Sequence, residues 1–151
     1  MTLFAVVKYI HILAAITAVG LNISYGVWLA RARSSPSNIA FALKGVKFLD
    51  DRIANPAYGV LLVTGLLMVY LLPVPITSLW IIIALIFYAA LVVVAFAFYT
   101  PALRAQVKLA EAGDTSSAEF ARLTSRGTVL GATLGVIVLI IVAMMVFKPT
   151  L

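Results

Sequence analysis

The chain contains no cysteine and only one histidine, and both shortages exclude whole classes of chemistry. Without cysteine there is no disulfide bond, no thiolate metal site and no cysteine nucleophile. With His11 alone, one chain cannot supply several imidazoles to a metal, and a serine-histidine-acid arrangement could form only around that residue. Glycine-rich phosphate-binding motifs are missing as well. A conventional enzyme is therefore disfavoured.

Charged residues are scarce and unevenly placed. None of the five acidic residues lies inside a long apolar run, which removes the carboxylates that proton-coupled transporters and hydrolytic metal sites use. The eleven basic residues give a formal net charge of +6, which alone would suit nucleic acid. Nine of them fall in two stretches, so we attribute the charge to membrane topology and expect no nucleic-acid partner. These nine are Arg31, Arg33, Lys44, Lys47, Arg52, Arg104, Lys108, Arg122 and Arg126.

Long apolar runs dominate the rest of the chain, which is 64% hydrophobic. The four runs lie at about residues 3–30, 54–72, 79–100 and 127–147. Each is long enough, at about 1.5 Å per helical residue, to cross a hydrocarbon core about 30 Å thick. Backbone groups in lipid must be satisfied within the segment, so the runs are expected to be helices. The sequence predicts an all-α integral membrane protein, one domain of residues 1–151 folded as an up-down four-helix transmembrane bundle.

The distribution of basic residues predicts how the chain crosses the membrane. The two basic stretches follow the first and third apolar runs, so with four spans they lie on one side. The positive-inside bias assigns that side to the cytoplasm and leaves both termini outside. We therefore expect a multi-pass protein of the cytoplasmic (inner) membrane of a bacterium, with the lipid bilayer as its first partner.

The connections carry signals for short cytoplasmic helices. The first has apolar residues at helical spacing, which predicts an amphipathic helix on the inner leaflet; these are Ile39, Leu43, Val46, Leu49 and Ile53. The adjoining Asp50, Asp51 and Arg52 are interpreted as a solvated helix face. Before the fourth span, Ser116 and Glu119 have the spacing of a capping box, which predicts a helix start that runs into that span.

Prolines mark the other boundaries. Asn55 followed by Pro56 has the pattern of an N-cap and a proline at the first helical position, and predicts the start of the second span. Pro73 and Pro75 end that span at a tight turn, so the second and third spans are expected to pack as an antiparallel hairpin. Pro101 predicts either the inner end of the third span or a kink.

The first span carries a polar stripe. At about 100° per residue, Lys8, His11, Asn22 and Tyr25 fall on one face, which is expected to contact protein rather than lipid. His11 is then either a neutral, hydrogen-bonded imidazole or an axial ligand of haem b or another metal. Three helical turns, about 16 Å, separate it from Asn22, so the two side chains cannot touch.

A second axial ligand would have to be a methionine, a lysine or the histidine of a second copy, because the chain has one histidine. Methionine paired with histidine is typical of cytochromes and also suits copper(I), although methionine is equally a filler of packed helices. No other metal site is predicted. Counting residues along the spans places three methionines at the outer level of His11: Met68, Met144 and Met145.

Other polar and aromatic side chains within the spans could line a pocket or a solute path, namely Asn22, Tyr25, Tyr58, Thr64 and Tyr88. Asn22 and Thr64 are expected near mid-membrane, where amides and hydroxyls also join helices by hydrogen bonds. Core packing equally explains the tyrosines. The fourth span opens with glycines at four-residue intervals, a packing stripe that serves either the bundle or a homodimer: Gly127, Gly131 and Gly135.

Three segments carry a resemblance to a family: KYIHILAAITAVG, NPAYGVLLVTGLLM and LWIIIALIFYAALVVVAFAFYTPALRAQ. Over most of the chain the sequence resembles the bacterial predicted integral membrane family called domain of unknown function 2269, which implies a membrane fold and carries no activity. More distantly, the early histidine is similar to that of HemJ-type protoporphyrinogen oxidases and CopD-type copper-resistance proteins, which implies a haem-ligand role for His11. HemJ-type proteins also use a lysine on a later helix, and spans two to four contain none.

Three functions remain open at this point. The best supported is a haem-b-binding or metal-binding, redox-associated membrane protein that uses His11. The alternatives are a small-solute or ion channel or permease, and a structural or assembly subunit of a larger membrane complex. A homodimer is the favoured oligomer.

Overall fold

The computed structural model of the protein describes residues 2–34 and 36–149. Within these ranges four helical stretches are long and apolar enough to cross a membrane, so the all-α membrane fold predicted from the sequence is confirmed. The six α-helices are α1 (Leu3–Ala32), α2 (Pro36–Leu49), α3 (Asn55–Leu71), α4 (Leu79–Val93), α5 (Thr100–Glu111) and α6 (Ala118–Phe147).

Two of the spans are unbroken helices, and two continue into a helix outside the apolar run. α1 and α6 contain 30 residues each, about 45 Å of helix. α2 runs into α3 through a π-helical turn, Asp50–Ala54, and α4 runs into α5 through a second one, Val94–Tyr99. We call the end of the bundle formed by α2, α5 and the two π-helical turns the basic end, because most Lys and Arg residues lie there, and the other the opposite end.

Both π-helical turns end two residues before a proline, Pro56 and Pro101. Proline lacks an N–H, and its ring collides with the carbonyl group four residues earlier, which lies inside the π-helical turn in both cases. A π-helical turn bonds five residues back, so the helix continues past the proline. The prediction that Asn55 caps a new helix is therefore wrong: its backbone is already helical, with φ −61° and ψ −46°. At Pro101 the helix likewise continues, as α5.

Following close neighbours around the bundle, the spans come in the order α3, α1, α6, α4, and the Tyr88 side chain of α4 also reaches the backbone of α3. α1 packs along α3 and α4 packs along α6, whereas α1 and α6 approach each other less extensively. No Cα atom of α3 comes within 8 Å of a Cα atom of α4, so the predicted close packing of a helical hairpin is wrong, although the Tyr88 hydroxyl of α4 bonds to α3. The connection between them, residues 72–78, reaches up to about 24 Å when extended, and therefore does not force the two helices together.

At the basic end, α2 contacts both α1 and α5. Leu43 and Val46, predicted to lie on the apolar face of α2, are 0% and 1% exposed. They are the most completely buried large side chains in the described ranges. An ion pair from Lys44 on α2 to Glu111 on α5, with 3.0 Å between Nζ and Oε1, adds a polar contact at the edge of this interface.

The acidic pair in the first π-helical turn is divided between two environments. Asp51 is exposed and pairs with Lys47, as expected for a solvated face. Asp50 is buried, which the sequence did not predict, because the turn that begins there packs against α1. Its carboxylate accepts a long hydrogen bond of 3.5 Å from the Asn55 side-chain amide.

The start of α6 lies one residue beyond the predicted position. The hydroxyl of Ser117, not Ser116, accepts a hydrogen bond of 3.1 Å from the backbone N–H of Phe120. Glu119 does not complete a capping box but forms an ion pair with Arg122. From this start α6 runs unbroken into the fourth span, as predicted.

Candidate functional site

His11 lies on α1 at its contact with α3 and is partly buried. Its Nδ1 is 2.8 Å from Oγ1 of Thr64. The Thr64 hydroxyl hydrogen is already used, since Oγ1 lies 2.6 Å from the backbone carbonyl oxygen of Val60. The Thr64 oxygen therefore accepts a hydrogen bond from Nδ1–H of His11. The other ring nitrogen, Nε2, then carries a lone pair, which is the form in which neutral imidazole binds a metal.

Gly65 provides the surface against which the imidazole packs. A Cβ atom at this position would lie 3.3 Å from Cε1 and 3.9 Å from Nδ1 of His11, so glycine lets the ring approach α3 closely. Sequence reasoning missed Gly65. The available signal was a glycine in the interior of an apolar helix, where it costs stability unless something packs closely against it.

The hydrogen bond also fixes the depth of Thr64. His11 lies about 12 Å from the start of α1, and Thr64 lies about 10 Å from the end of α3. Thr64 was expected at mid-membrane beside Asn22, but the structure places it at the level of His11. The level of Thr64 depends on which turn of α3 meets which turn of α1, and the spacing of residues along either helix does not reveal that register.

The three methionines predicted as partners of His11 lie on two helices that do not meet. Met68 follows Thr64 by four residues and so lies on the face of α3 that packs on α1, one turn nearer the opposite end. Met144 and Met145 lie near the end of α6, and no Cα atom of α6 comes within 8 Å of one in α3. Of the three methionines, only Met68 lies on the same helix face as Thr64, the hydrogen-bond partner of His11.

A second polar cluster lies further along α1, towards the basic end. The Asn22 amide donates to the Ala18 carbonyl oxygen at 3.0 Å and to the Tyr58 hydroxyl. The hydroxyl of Tyr88, on α4, donates to the backbone carbonyl of Tyr58 at 2.9 Å. Three of the five residues predicted to line a pocket thus meet across α1, α3 and α4, while Thr64 belongs with His11.

Tyr25, the fifth of these residues, lies apart and lines a cavity of about 440 Å³ between α1 and α6. Its side chain is 3% exposed. Among the described residues, its hydroxyl is the buried side-chain polar atom that lacks a hydrogen-bond partner. Tyr99, from the second π-helical turn, lines the same cavity. This region is separate from the His11 site, since Tyr25 follows His11 by 14 positions of α1, about 21 Å.

Two of the three predicted packing glycines contact the chain's own helices. A Cβ atom on Gly127 would lie 3.8 Å from Oε1 of Gln106, and one on Gly131 would lie 4.0 Å from Cε2 of Tyr99. Gly135 has open space within 4 Å of the corresponding position. Gln106, which is buried and donates to Thr124 Oγ1 at 2.8 Å, was not singled out from the sequence.

The four membrane-length helices define a multi-pass integral membrane protein, and over the described ranges no three His, Cys, Asp or Glu side chains gather into a group that could hold a metal ion. The family model described as a predicted integral membrane protein, DUF2269, matches residues 5–149, and the chain belongs to this family, as the sequence resemblance predicted. No curated protein and no solved structure matches the chain. The more distant likeness to HemJ-type and CopD-type proteins stays a prediction.

Proposed function

We propose that this membrane protein binds haem b, or a metal ion in its place, through Nε2 of His11. The observation that carries the proposal is the hydrogen bond from Nδ1 of His11 to Thr64. Histidines that bind metals almost always donate their other ring N–H to a protein or water acceptor, which fixes the tautomer and the ring orientation. Thr64 fills that role here, and the Val60 carbonyl orients its hydroxyl.

The contacts of the imidazole suit a ligand role. Gly65 leaves room for the ring to lie against α3, and Thr64 keeps Nδ1 protonated, so Nε2 is the nitrogen left to bind. When bound, haem would supply one-electron redox chemistry. The part of the chain itself is to hold the ring at a fixed angle and to keep its second nitrogen unprotonated.

Met68 is the second ligand that we favour, because it shares the face of α3 that carries Thr64. A thioether and an imidazole together suit either haem or copper(I). Met144 and Met145 are weaker candidates, since they lie on a helix that does not pack against α3.

The test is the absorption spectrum and metal content of protein purified in mild detergent. We expect a Soret band, or a stoichiometric metal, that is lost in His11→Ala. Thr64→Val keeps the side-chain shape but removes the acceptor, and should weaken haem or metal retention by about 10- to 100-fold. Tyr70→Phe, an exposed change on α3 near the same end, is the matched control and should change nothing.

Two results would overturn the proposal. One is wild-type protein that carries neither a Soret band nor a bound metal after expression with haem and copper supplied. The other is a His11→Ala variant that is folded, by its circular dichroism spectrum, and retains the full band.

A channel or permease is less well supported. The groups predicted to line its path are engaged with each other, Asn22 with Tyr58 and Thr64 with His11. Solute flux in reconstituted vesicles that is abolished by Asn22→Leu would reverse this ranking.

Homodimerisation, a larger membrane complex and the bacterial inner membrane stay predictions. Gly135 is where we would look first for a dimer contact by crosslinking, because the space above it is open.

A further inference from the structure

The cavity between α1 and α6 has the size of a ligand site. Its volume of about 440 Å³ falls within the range of roughly 300–1,000 Å³ typical of small-molecule pockets. α1 and α6 form its walls, and residues of α2, α5 and the second π-helical turn close its floor. Polar side chains are few and most of the lining is aliphatic, aromatic or glycine, as expected for an amphiphilic ligand.

The mouth of the cavity opens sideways, between the two helices. Its rim includes Ile23 and Ala30 on α1 and Ala132 on α6, which are all exposed. Its floor includes Leu43 and Leu103, which are buried. Because the rim belongs to membrane-length helices, we expect the mouth to face the acyl chains of the leaflet at the basic end. A lipid molecule can therefore enter without leaving the bilayer.

Arg33 gives the cavity a positive charge at the membrane surface. It follows the last turn of α1, lines the cavity and donates to Thr128 Oγ1 of α6 at 2.8 Å. A guanidinium group has five N–H donors, so this bond leaves others for a phosphate group. No acidic side chain occurs among the described residues that line the cavity. The lining is thus complementary to a single anionic head group.

Tyr25 supplies a second point of recognition, deeper in the cavity wall. Its hydroxyl is buried and lacks a partner among the described residues. Buried polar groups in native proteins are nearly always hydrogen-bonded, because an unpaired one costs free energy. The hydroxyl oxygen is closed off from the cavity in this structure, so the tyrosine side chain has to turn towards the cavity before it can donate to a ligand oxygen.

We infer that the cavity between α1 and α6 binds one anionic phospholipid from the leaflet at the basic end. The cavity holds part of the lipid: Arg33 pairs with the phosphate group and one of the two acyl chains lies against Gly131 and Ala132, while the other chain stays in the bilayer. The Tyr25 hydroxyl, turned towards the cavity, donates to one of the lipid oxygen atoms. This assignment is independent of the proposal for His11, which lies elsewhere on α1.

Native mass spectrometry of the detergent-solubilised full chain tests the head-group contact. The probes are dioleoyl phosphatidylglycerol, dioleoyl phosphatidylcholine and inorganic phosphate. We expect one phosphatidylglycerol molecule per chain, bound about tenfold more tightly than phosphatidylcholine, and no effect of phosphate alone. Arg33→Gln should remove the preference. Arg126→Gln, an exposed arginine on α6 at the same end that does not line the cavity, should change it less than about twofold.

A second pair of variants tests where the lipid lies. Ala132→Leu adds bulk at the rim and should reduce phosphatidylglycerol binding about tenfold, whereas Ala89→Leu, on the exposed face of α4, should not. Tyr25→Phe should reduce binding about fivefold, the effect of one lost hydrogen bond. Circular dichroism spectra establish that each variant is folded.

Three outcomes would overturn the inference. The first is equal affinity of the wild-type chain for the two phospholipids. The second is an equal loss in Arg33→Gln and Arg126→Gln, which would indicate diffuse attraction to a basic surface. The third is a Tyr25→Phe variant that binds phosphatidylglycerol unchanged while Ala132→Leu also has no effect.

Discussion

The two ends of the bundle are packed in different ways. At the basic end, α2 and α5 contact each other and the spans, and Leu43 and Val46 are almost wholly buried. Towards the opposite end the spans pair two by two, α1 with α3 and α4 with α6. Large apolar side chains along the spans face outward, and Ile16, Val63 and Leu139 are all more than 60% exposed, as are Phe41 and Phe48 on the other side of α2 from Leu43 and Val46.

The difference follows from the solvent at each end. The hydrophobic effect needs water, and at the membrane surface the apolar face of α2 would meet water unless α1 and α5 covered it. Inside the bilayer an exposed leucine contacts lipid tails and gains little from burial. Helices there associate through close approach and polar contacts instead, such as Gly65 against His11 and Asn22 with Tyr58. Burial therefore measures stabilisation at the basic end but not within the spans.

The largest expected contrast comes from removing a leucine side chain at each end. Leu43→Ala leaves a cavity in the packed interface of α2 and should lower the free energy of unfolding by about 2–5 kcal/mol. Leu139→Ala, on the lipid-facing side of α6, should cost less than about 1 kcal/mol. Denaturant titration in detergent micelles, followed by circular dichroism, measures both. Equal losses would contradict the comparison.

Two glycines of α3 offer the next contrast. Gly59 has nothing within 4 Å of its Cβ position, so Gly59→Ala should stabilise the helix by about 0.5–1 kcal/mol. Gly65→Ala gains the same helix preference, but its methyl group crowds His11, which should cost about 1–3 kcal/mol of folding free energy. The variant should therefore be less stable than wild type. The same denaturation experiment applies. A stabilised Gly65→Ala variant would show that the imidazole moves away easily.

A buried hydrogen bond at the basic end should have a smaller effect. Thr124→Val removes the acceptor for the amide of the buried Gln106 and should cost about 1 kcal/mol. Thr133→Val is the matched control, because that hydroxyl is exposed and bonds only within α6, to the Val129 carbonyl. If the two variants lose stability equally, the bond between α5 and α6 contributes nothing measurable.

The smallest effect is expected from the ion pair between α2 and α5. Lys44 and Glu111 are both about half exposed, so Glu111→Gln should cost less than about 1 kcal/mol. Salt screens exposed charges, so the difference in stability from wild type should shrink as sodium chloride is raised from about 50 mM to about 1 M. A loss that is independent of salt would indicate a packing role for the side chain.

The sequence predicted the fold class because lipid permits few alternatives. An apolar run of spanning length has to be helical, and a basic bias has to mark one side, so both could be inferred from composition along the chain. The errors fall where tertiary packing decides. Asn55 followed by Pro56 has the pattern of a helix start, and that pattern does not show that a π-helical turn carries the helix past the proline. Asp50 stands in a charged cluster, and its burial depends on the packing of that turn against α1.

The sequence allowed His11 to be chosen as a candidate ligand but did not reveal which residue it contacts. His11 could be singled out by composition, since it is the chain's one imidazole. Its partner could not, because the pairing with Thr64 depends on the register between α1 and α3, and a single sequence contains no information on which turns of two helices meet. The unpartnered Tyr25 hydroxyl was invisible for the same reason, although the tyrosine itself lay on the predicted polar face.

The two π-helical turns join α2 to α3 and α4 to α5, so that each of these spans and its surface helix form one continuous helical rod. A partner that twists α2 or α5 at the membrane surface would apply torque directly to α3 or α4, with no flexible linker to absorb it. Deleting a single residue from either turn would rotate everything beyond it by about 100°. A deletion in the first π-helical turn would therefore carry Thr64 away from the His11 imidazole, while the length and the apolar character of the span would stay nearly unchanged.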